Sequence, residues 1–124
     1  MVEKKILIAD DEEDIVNVLE KKFQASGYSV RTALKGRDAV EICKKDRPDL
    51  VLLDIAMPDM DGYSVAMALR GTNLLIDVPI IFMTGKELEQ SGIEKRVSEL
   101  NAYDFITKPC SFEDLLAKIK EIIG

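Results

Sequence analysis

The 124-residue sequence contains no histidine and no tryptophan, and it has only two cysteines, four prolines and 6% aromatic residues. Each shortage excludes something. Without histidine there is no Ser-His hydrolase chemistry and no imidazole metal ligand. Cys43 and Cys110 stand apart with no C-x-x-C pair, so neither a disulfide framework nor a thiolate zinc site is implied, and both read as small packing residues. No apolar run approaches the roughly 20 residues of a spanning helix. Met1–Lys5 is not followed by the apolar core of a signal peptide. The expectation is cytoplasmic residence with no membrane partner. Basic charge is short as well: 17 basic against 23 acidic residues give a net charge of -6. That is the wrong sign for a phosphate-backbone binder, so no direct nucleic-acid contact is expected.

What remains is ordinary for a globular protein, at 47% hydrophobic and 32% charged residues. The length fits one domain over 1–124, with no room for a second. Ile6, Leu7, Ile8 and Ala9 form a short buried-type strand that stops at Asp10, Asp11, Glu12, Glu13 and Asp14. The next helix carries Ile15, Val18, Leu19 and Phe23 as its apolar face and ends near Gly27. Tyr28, Val30 and Thr32 alternate with Ser29 and Arg31, the pattern of an edge strand with one wet face. Gly36 opens a second helix with Ala39, Val40 and Cys43. A third helix runs through Val65 to Leu69, and Gly71–Asp77 reads as a polar connection. Ile80, Ile81 and Phe82 mark another buried strand, closed by Thr84 and Gly85. The stretch from Lys86 to Gly92 reads as a loop or weak helix start with local mobility, ahead of Ile93, Val97 and Leu100. Asn101 suits a left-handed helix end, and Tyr103–Thr107 a last strand. Ser111 with Asp114 resembles a capping box before a final helix that buries Phe112, Leu115, Leu116, Ile119, Ile122 and Ile123. Five strands alternating with five helices predict an α/β fold, a doubly wound parallel sheet between two helical layers.

The chain is organised around Leu50–Gly62, LVLLDIAMPDMDG. The run Leu50, Val51, Leu52, Leu53 fits a central strand buried on both faces, which delivers Asp54 to the strand's carboxyl end. Asp54 alone supports two readings, a turn cap or a chemical role. Asp10 and Asp11, Thr84 and Lys108 also follow strands, and in a doubly wound sheet those ends share one rim. Three carboxylates about 5 Å apart repel by roughly 3 kcal/mol per pair at an effective dielectric near 20, a cost that a divalent cation relieves. Oxygen ligands without His or Cys favour Mg2+. A carboxylate beside Mg2+ is a competent nucleophile toward a phosphoryl group, with Lys108 and Thr84 placed to meet the other phosphoryl oxygens. The plainer readings are that Asp11 caps the first helix, with Glu12, Glu13 and Asp14 favouring its dipole, and that Lys108 is a solvated surface cation.

These residues carry a resemblance. The Asp10-Asp11 pair, the LVLLDIAMPDMDG stretch, Met83-Thr84-Gly85 and FITKP at Phe105–Pro109 occur in the order and nearly the spacing of a response-regulator receiver domain, and the match covers essentially the whole chain. The resemblance implies a flavodoxin-like three-layer sandwich with strand order 2-1-3-4-5 and no output domain in this stretch. It implies a phosphorylation-dependent switch rather than an enzyme acting on other molecules. Asp54 would accept a phosphoryl group from a histidine kinase or histidine phosphotransfer protein. Asp11, Asp54 and the Ala56 carbonyl would coordinate Mg2+, with Asp10 helping through water. Lys108 would pair with phosphoryl oxygens, Thr84 would move onto the phosphorylated side chain, and Phe105 would turn inward behind it. The Lys108–Pro109 bond would be cis. The face of the fourth helix, fifth strand and fifth helix would address a downstream protein, with the chain a monomer or a phosphorylation-dependent dimer.

Some positions depart from the family pattern. Ala56 is small where many members carry a larger polar side chain, Asn101 replaces a frequent glycine, and the interval from Thr84 to Lys108 is slightly long, which bears on the fourth helix. A haloacid-dehalogenase-type phosphatase needs D-x-D-x-[TV] after its first strand, whereas the aspartates here are adjacent. A flavodoxin-like cofactor carrier needs a hydroxyl- and glycine-rich phosphate loop where this chain is acidic. A degenerate receiver acting only as an interaction scaffold is the closer rival, and the full acceptor set argues against it; a receiver that forms part of a larger regulator or hybrid kinase is the other alternative.

Overall fold

In the computed structural model, which describes residues 3–85 and 90–124, five strands form one parallel sheet. They are β1 (Lys5–Ala9), β2 (Ser29–Ala33), β3 (Leu50–Asp54), β4 (Ile80–Thr84) and β5 (Asp104–Thr107). The helices between and after them are α1 (Glu13–Ala25), α2 (Gly36–Lys45), α3 (Gly62–Arg70), α4 (Gln90–Glu99) and α5 (Phe112–Ile123). The strand order is β2-β1-β3-β4-β5, so the chain reverses direction across the sheet between β1 and β3. The alternating β2 is an edge strand, as its sequence predicts.

The unbroken apolar runs follow from burial on both faces. Leu7, Val51, Leu53, Ile80 and Phe82 pack on one side with Ala39, Val40, Val65, Leu69 and Ile93 of α2, α3 and α4. Ile6, Ile8, Leu50, Leu52 and Ile81 pack on the other with Val16, Phe23, Leu115 and Ile119 of α1 and α5. Side chains of successive strand residues point to opposite faces, so the inner strands β1, β3 and β4 feed both cores along nearly their whole length, while the edge strands β2 and β5 carry polar positions.

Two predicted features are corrected. The apolar face of α1 is Val16, Leu19 and Phe23, with Ile15 and Val18 at 39% and 53% exposure. The helix rotation is fixed by Phe23, whose ring lies 6.1 Å from that of Tyr28 and 4.9 Å from that of Phe112. Leu19 and Phe23 stand on the expected face, and Val16 takes the place of Ile15 and Val18 beside them. The connection after α3 is not simply polar, because a 3-10 turn at Asn73–Leu75 buries Leu75 completely in the α3-side core. Of the Lys86–Gly92 stretch expected as a loop or weak helix start, 86–89 lie outside the described residues, and Gln90, Ser91 and Gly92 are helical, opening α4. Asn101 adopts the left-handed conformation, φ 52°, just beyond α4. Ser111 caps α5, its side chain accepting from the Asp114 N–H.

Candidate functional site

The carboxyl ends of β1, β3 and β4 and the loop after β5 line one rim of the sheet. Asp10 directly follows β1 and is completely buried. Its N–H donates to the Ala33 carbonyl at 3.0 Å, and its Oδ1 accepts from the Glu12 N–H at 3.0 Å. Asp10, rather than Asp11, therefore holds the chain entering α1, whose N-cap residue Glu12 makes no side-chain cap of its own. Asp11 is left exposed on the rim. Asp54, the last residue of β3, is 4% exposed, and its Oδ1 accepts from the Ala56 N–H at 3.3 Å.

One carboxylate oxygen each from Asp10, Asp11 and Asp54 lies within 4.8 Å of the others. That spacing, with oxygen donors alone, fits a small hard divalent cation. Lys108 supplies the compensating charge. Its Nζ donates to Asp10 Oδ2 and to Glu12 Oε1, each at 3.1 Å, with Asp54 Oδ2 at 3.6 Å. Burial disfavours the Lys108 ammonium, yet its bonds to Glu12 and Asp10 and the nearby charges of Asp10 and Asp54 hold its pKa above the ordinary lysine value. For Asp54, burial and then the Asp10 charge push the carboxyl up to about 6, against the pull of Lys108 and the Ala56 N–H. The group is thus ionised at neutral pH, but less firmly than a surface aspartate.

The Lys108–Pro109 bond is cis, and the Lys108 N–H donates to the Thr84 carbonyl at 2.7 Å. Beside the carboxylates a cavity of about 770 Å³ opens, with Asp54, Ala56 and Lys108 at its polar end and Ile15, Phe112 and Leu115 along its apolar wall. Ile15 is exposed because it lines this opening. Thr84 and Phe105 make other contacts. The Thr84 hydroxyl is buried and donates to the Gly85 carbonyl at 2.9 Å. Phe105, paired in register with Phe82, is half-buried against the α2-α3-α4 side of the core. The structure thus brings Asp11, Asp54, Ala56 and Lys108 to the cavity with Asp10 buried beside them, while Thr84 ends β4 on the same rim and Phe105 lies further back along the sheet, opposite Phe82.

The family model for the response regulator receiver domain matches residues 6–120. The chain belongs to this family. Among solved structures, this receiver domain superposes on the chemotaxis protein CheY4 of Vibrio cholerae with a TM-score of 0.90 and 27% identity, covering 98% of this chain and 99% of that one. It also superposes on the signal receiver domain of a histidine kinase from Syntrophus aciditrophicus, TM-score 0.85 at 34% identity, covering 97% and 89%. Among curated relatives, the probable transcriptional regulator ycf27 of Porphyridium aerugineum is 40% identical over 125 residues, 99% of this chain and 49% of that protein. The alkaline phosphatase synthesis transcriptional regulatory protein PhoP of Bacillus subtilis is 39% identical over 120 residues, 97% and 48%. The chain spans about half the length of these curated relatives. Both are named as transcriptional regulators, so the net charge of this stretch does not bear on what the rest of such a protein contacts. No helix among the described residues is long and apolar enough to cross a membrane.

Two residues with structural work, Glu12 at the site and Asp59 in the loop after β3, were missed in the sequence. Glu12, counted among the acids that favour the α1 dipole, instead holds Lys108. Asp59 accepts from the Gly36 and Arg37 N–H groups at 2.9 and 3.1 Å. The available signal was a helix start, Lys35-Gly36, with no capping residue of its own.

Proposed function

We propose that the chain is the phosphoacceptor module of a two-component or phosphorelay pathway, in which Asp54 takes a phosphoryl group from a phosphohistidine on a kinase or phosphotransfer protein. The observation that carries this reading is the meeting of three carboxylates and Lys108 at one cluster, of which Asp11, Asp54 and Lys108 line a cavity that opens to solvent. In the transfer an Asp54 oxygen forms the new P–O bond as the P–N bond to the donor imidazole breaks, and the imidazole leaves with that electron pair. Asp11, Asp54 and the Ala56 carbonyl would hold Mg2+, with Asp10 acting through water. Bound there, the cation supplies charge compensation for the phosphoryl oxygens.

The chain's own residues carry the remaining work. Asp54, ionised above about pH 6, presents the nucleophilic oxygen. Lys108 exchanges part of its bonding to Asp10 and Glu12 for a phosphoryl oxygen. Thr84 gives up the Gly85 carbonyl as its acceptor and donates to the phosphorylated side chain. Phe105 then moves inward, altering the face of α4, β5 and α5 that a downstream protein reads. The differential affinity of the dianion for the two arrangements sets the size of the shift. Residues 1–124 act as one receiver unit in the cytoplasm, as a monomer or a phosphorylation-dependent dimer, with no effector unit within this stretch.

Incubation with a small phosphodonor and Mg2+, followed by intact mass, tests the reading. One added phosphoryl group on the wild type and none on Asp54→Ala is expected. An unmodified wild type would favour the scaffold alternative, and equal yields from both proteins would remove Asp54 as acceptor.

A further inference from the structure

Helix α2 begins without a cap of its own. Lys35, at the N-cap position, has extended backbone angles of φ -133° and ψ 147° and makes no side-chain hydrogen bond to the helix. A lysine there also sets positive charge against the positive end of the helix dipole. The first two helical N–H groups, of Gly36 and Arg37, are instead satisfied by the two oxygens of Asp59, which comes from the loop between β3 and α3. The contact is close enough that a Cβ on Gly36 would meet the Met60 carbonyl oxygen at 2.6 Å. Bonds from these N–H groups hold the Asp59 carboxyl below its ordinary pKa, so it is charged across the neutral range.

The same loop carries Ala56. Its far end is closed by the Gly62 N–H, which donates to the Ile55 carbonyl at 2.8 Å, and Met57 is buried beneath it. Between these points the exposed Pro58-Asp59 segment is held to the body of the domain by Asp59. Ala56 lines the cavity, and its N–H already donates to Asp54. The Ala56 N–H lies in the Ile55–Ala56 peptide and the Ala56 carbonyl in the next, Ala56–Met57, so a shift of the loop at Met57–Asp59 turns that carbonyl directly and reaches the hydrogen bond to Asp54 through the Ala56 Cα.

We propose that Asp59 is a positioning residue for divalent-cation binding, tying the β3–α3 loop to the first turn of α2 and so fixing the Ala56 peptide on the rim of the carboxylate pocket. This rests on the reading of the pocket as a Mg2+ site. Helix capping by itself would account for stability but not for cation affinity, and the two are separable. Serine at position 35 gives α2 a local cap, and Lys35→Ser combined with Asp59→Ala leaves the net charge at -6 because one base and one acid are removed.

The test is a Mg2+ titration of the wild type, Asp59→Ala, Lys35→Ser and the double variant, followed by backbone amide shifts and calorimetry, alongside thermal unfolding without metal. Asp59→Ala is expected to bind Mg2+ about tenfold more weakly, the low end of what loss of an outer orienting partner costs, with a lowered Tm. The double variant regains the Tm but keeps the weakened affinity, with altered Ala56 and Met57 amide shifts. Comparison of Lys35→Ser with the double variant serves equally should the single Asp59 variant unfold. Wild-type affinity in the Asp59 variants, or affinity that returns together with Tm in the double variant, overturns the inference alone. A wild type without any Mg2+-dependent shift overturns the metal reading of the pocket and this inference with it.

Discussion

The ammonium of Lys108 donates to Asp10 Oδ2 at 3.1 Å while the nearest oxygen of Asp54 stays 3.6 Å away. The fully buried Asp10 thus takes the stronger share of the cation, and Asp54 keeps an oxygen less tightly held. Lys108→Ala leaves Asp10 buried without its counter-charge. A destabilisation of about 2 kcal/mol is expected in metal-free urea unfolding, below the usual cost of breaking a fully buried pair because Lys108 is partly solvated. Added Mg2+ should restore more stability to this variant than it adds to the wild type, since a second cation then meets an uncompensated pocket.

The raised pKa of Asp54, about 6, gives a pH dependence of definite sign. An unfolded aspartate titrates near 3.9, so between about pH 4 and pH 6 the folded state binds more protons than the unfolded one. The stability contributed by Asp54 is full below about pH 4 and lost as pH rises through about 6. In metal-free protein at pH 7, Asp54→Asn is therefore expected to be more stable than the wild type, by on the order of 2 kcal/mol. Denaturant curves at successive pH values should show a flatter profile over that window in the variant.

Arg70 ties the end of α4 to the 3-10 turn after α3 through three carbonyl groups, two beyond α4 and one in the turn. Its Nε donates to Leu100, Nη1 to Leu75 and Nη2 to Asn101, at 2.9, 3.0 and 2.9 Å. Burial lowers its pKa, yet the guanidinium stays charged. Arg70→Ala should cost about 2 kcal/mol and speed amide exchange at Leu100–Ala102 more than elsewhere. Arg70→Lys should recover less than half, because an ammonium cannot span three acceptors in one plane.

Helix propensity and packing oppose each other at Gly36. Alanine gains up to about 1 kcal/mol as a helix former, but its Cβ would stand 2.6 Å from the Met60 carbonyl oxygen and 2.9 Å from Val65 Cγ2. The clash with backbone wins. Gly36→Ala should be destabilised by about 2 kcal/mol in urea unfolding, whereas Gly92→Ala, with open space at its Cβ, should not be.

The fold was legible because the signals were local. Runs such as Ile6–Ala9 and Leu50–Leu53 demand burial on two faces whatever lies around them, and Asp10 and Asp54 sit where those runs end, as Lys108 does after β5. Less was legible where distant residues decide. That α1 buries Val16 rather than Ile15 and Val18 beside Leu19 and Phe23 depends on what the neighbouring elements place against it, which no periodicity within the helix encodes. The partnership of Asp59 with Gly36 spans 23 residues. Lys108 could be placed on the rim from sequence, but its sharing among Asp10, Glu12 and Asp54 is a matter of side-chain packing and charge.

Locating the phosphoryl group on the chain addresses the central claim most directly. After exposure to a small phosphodonor with Mg2+, borohydride reduction converts an aspartyl phosphate to homoserine, which peptide mass mapping assigns to a position. Homoserine at residue 54 alone, absent when the cation is chelated, is the predicted result. Homoserine at Asp10 or Asp11, or the same modification without the cation, would contradict the account.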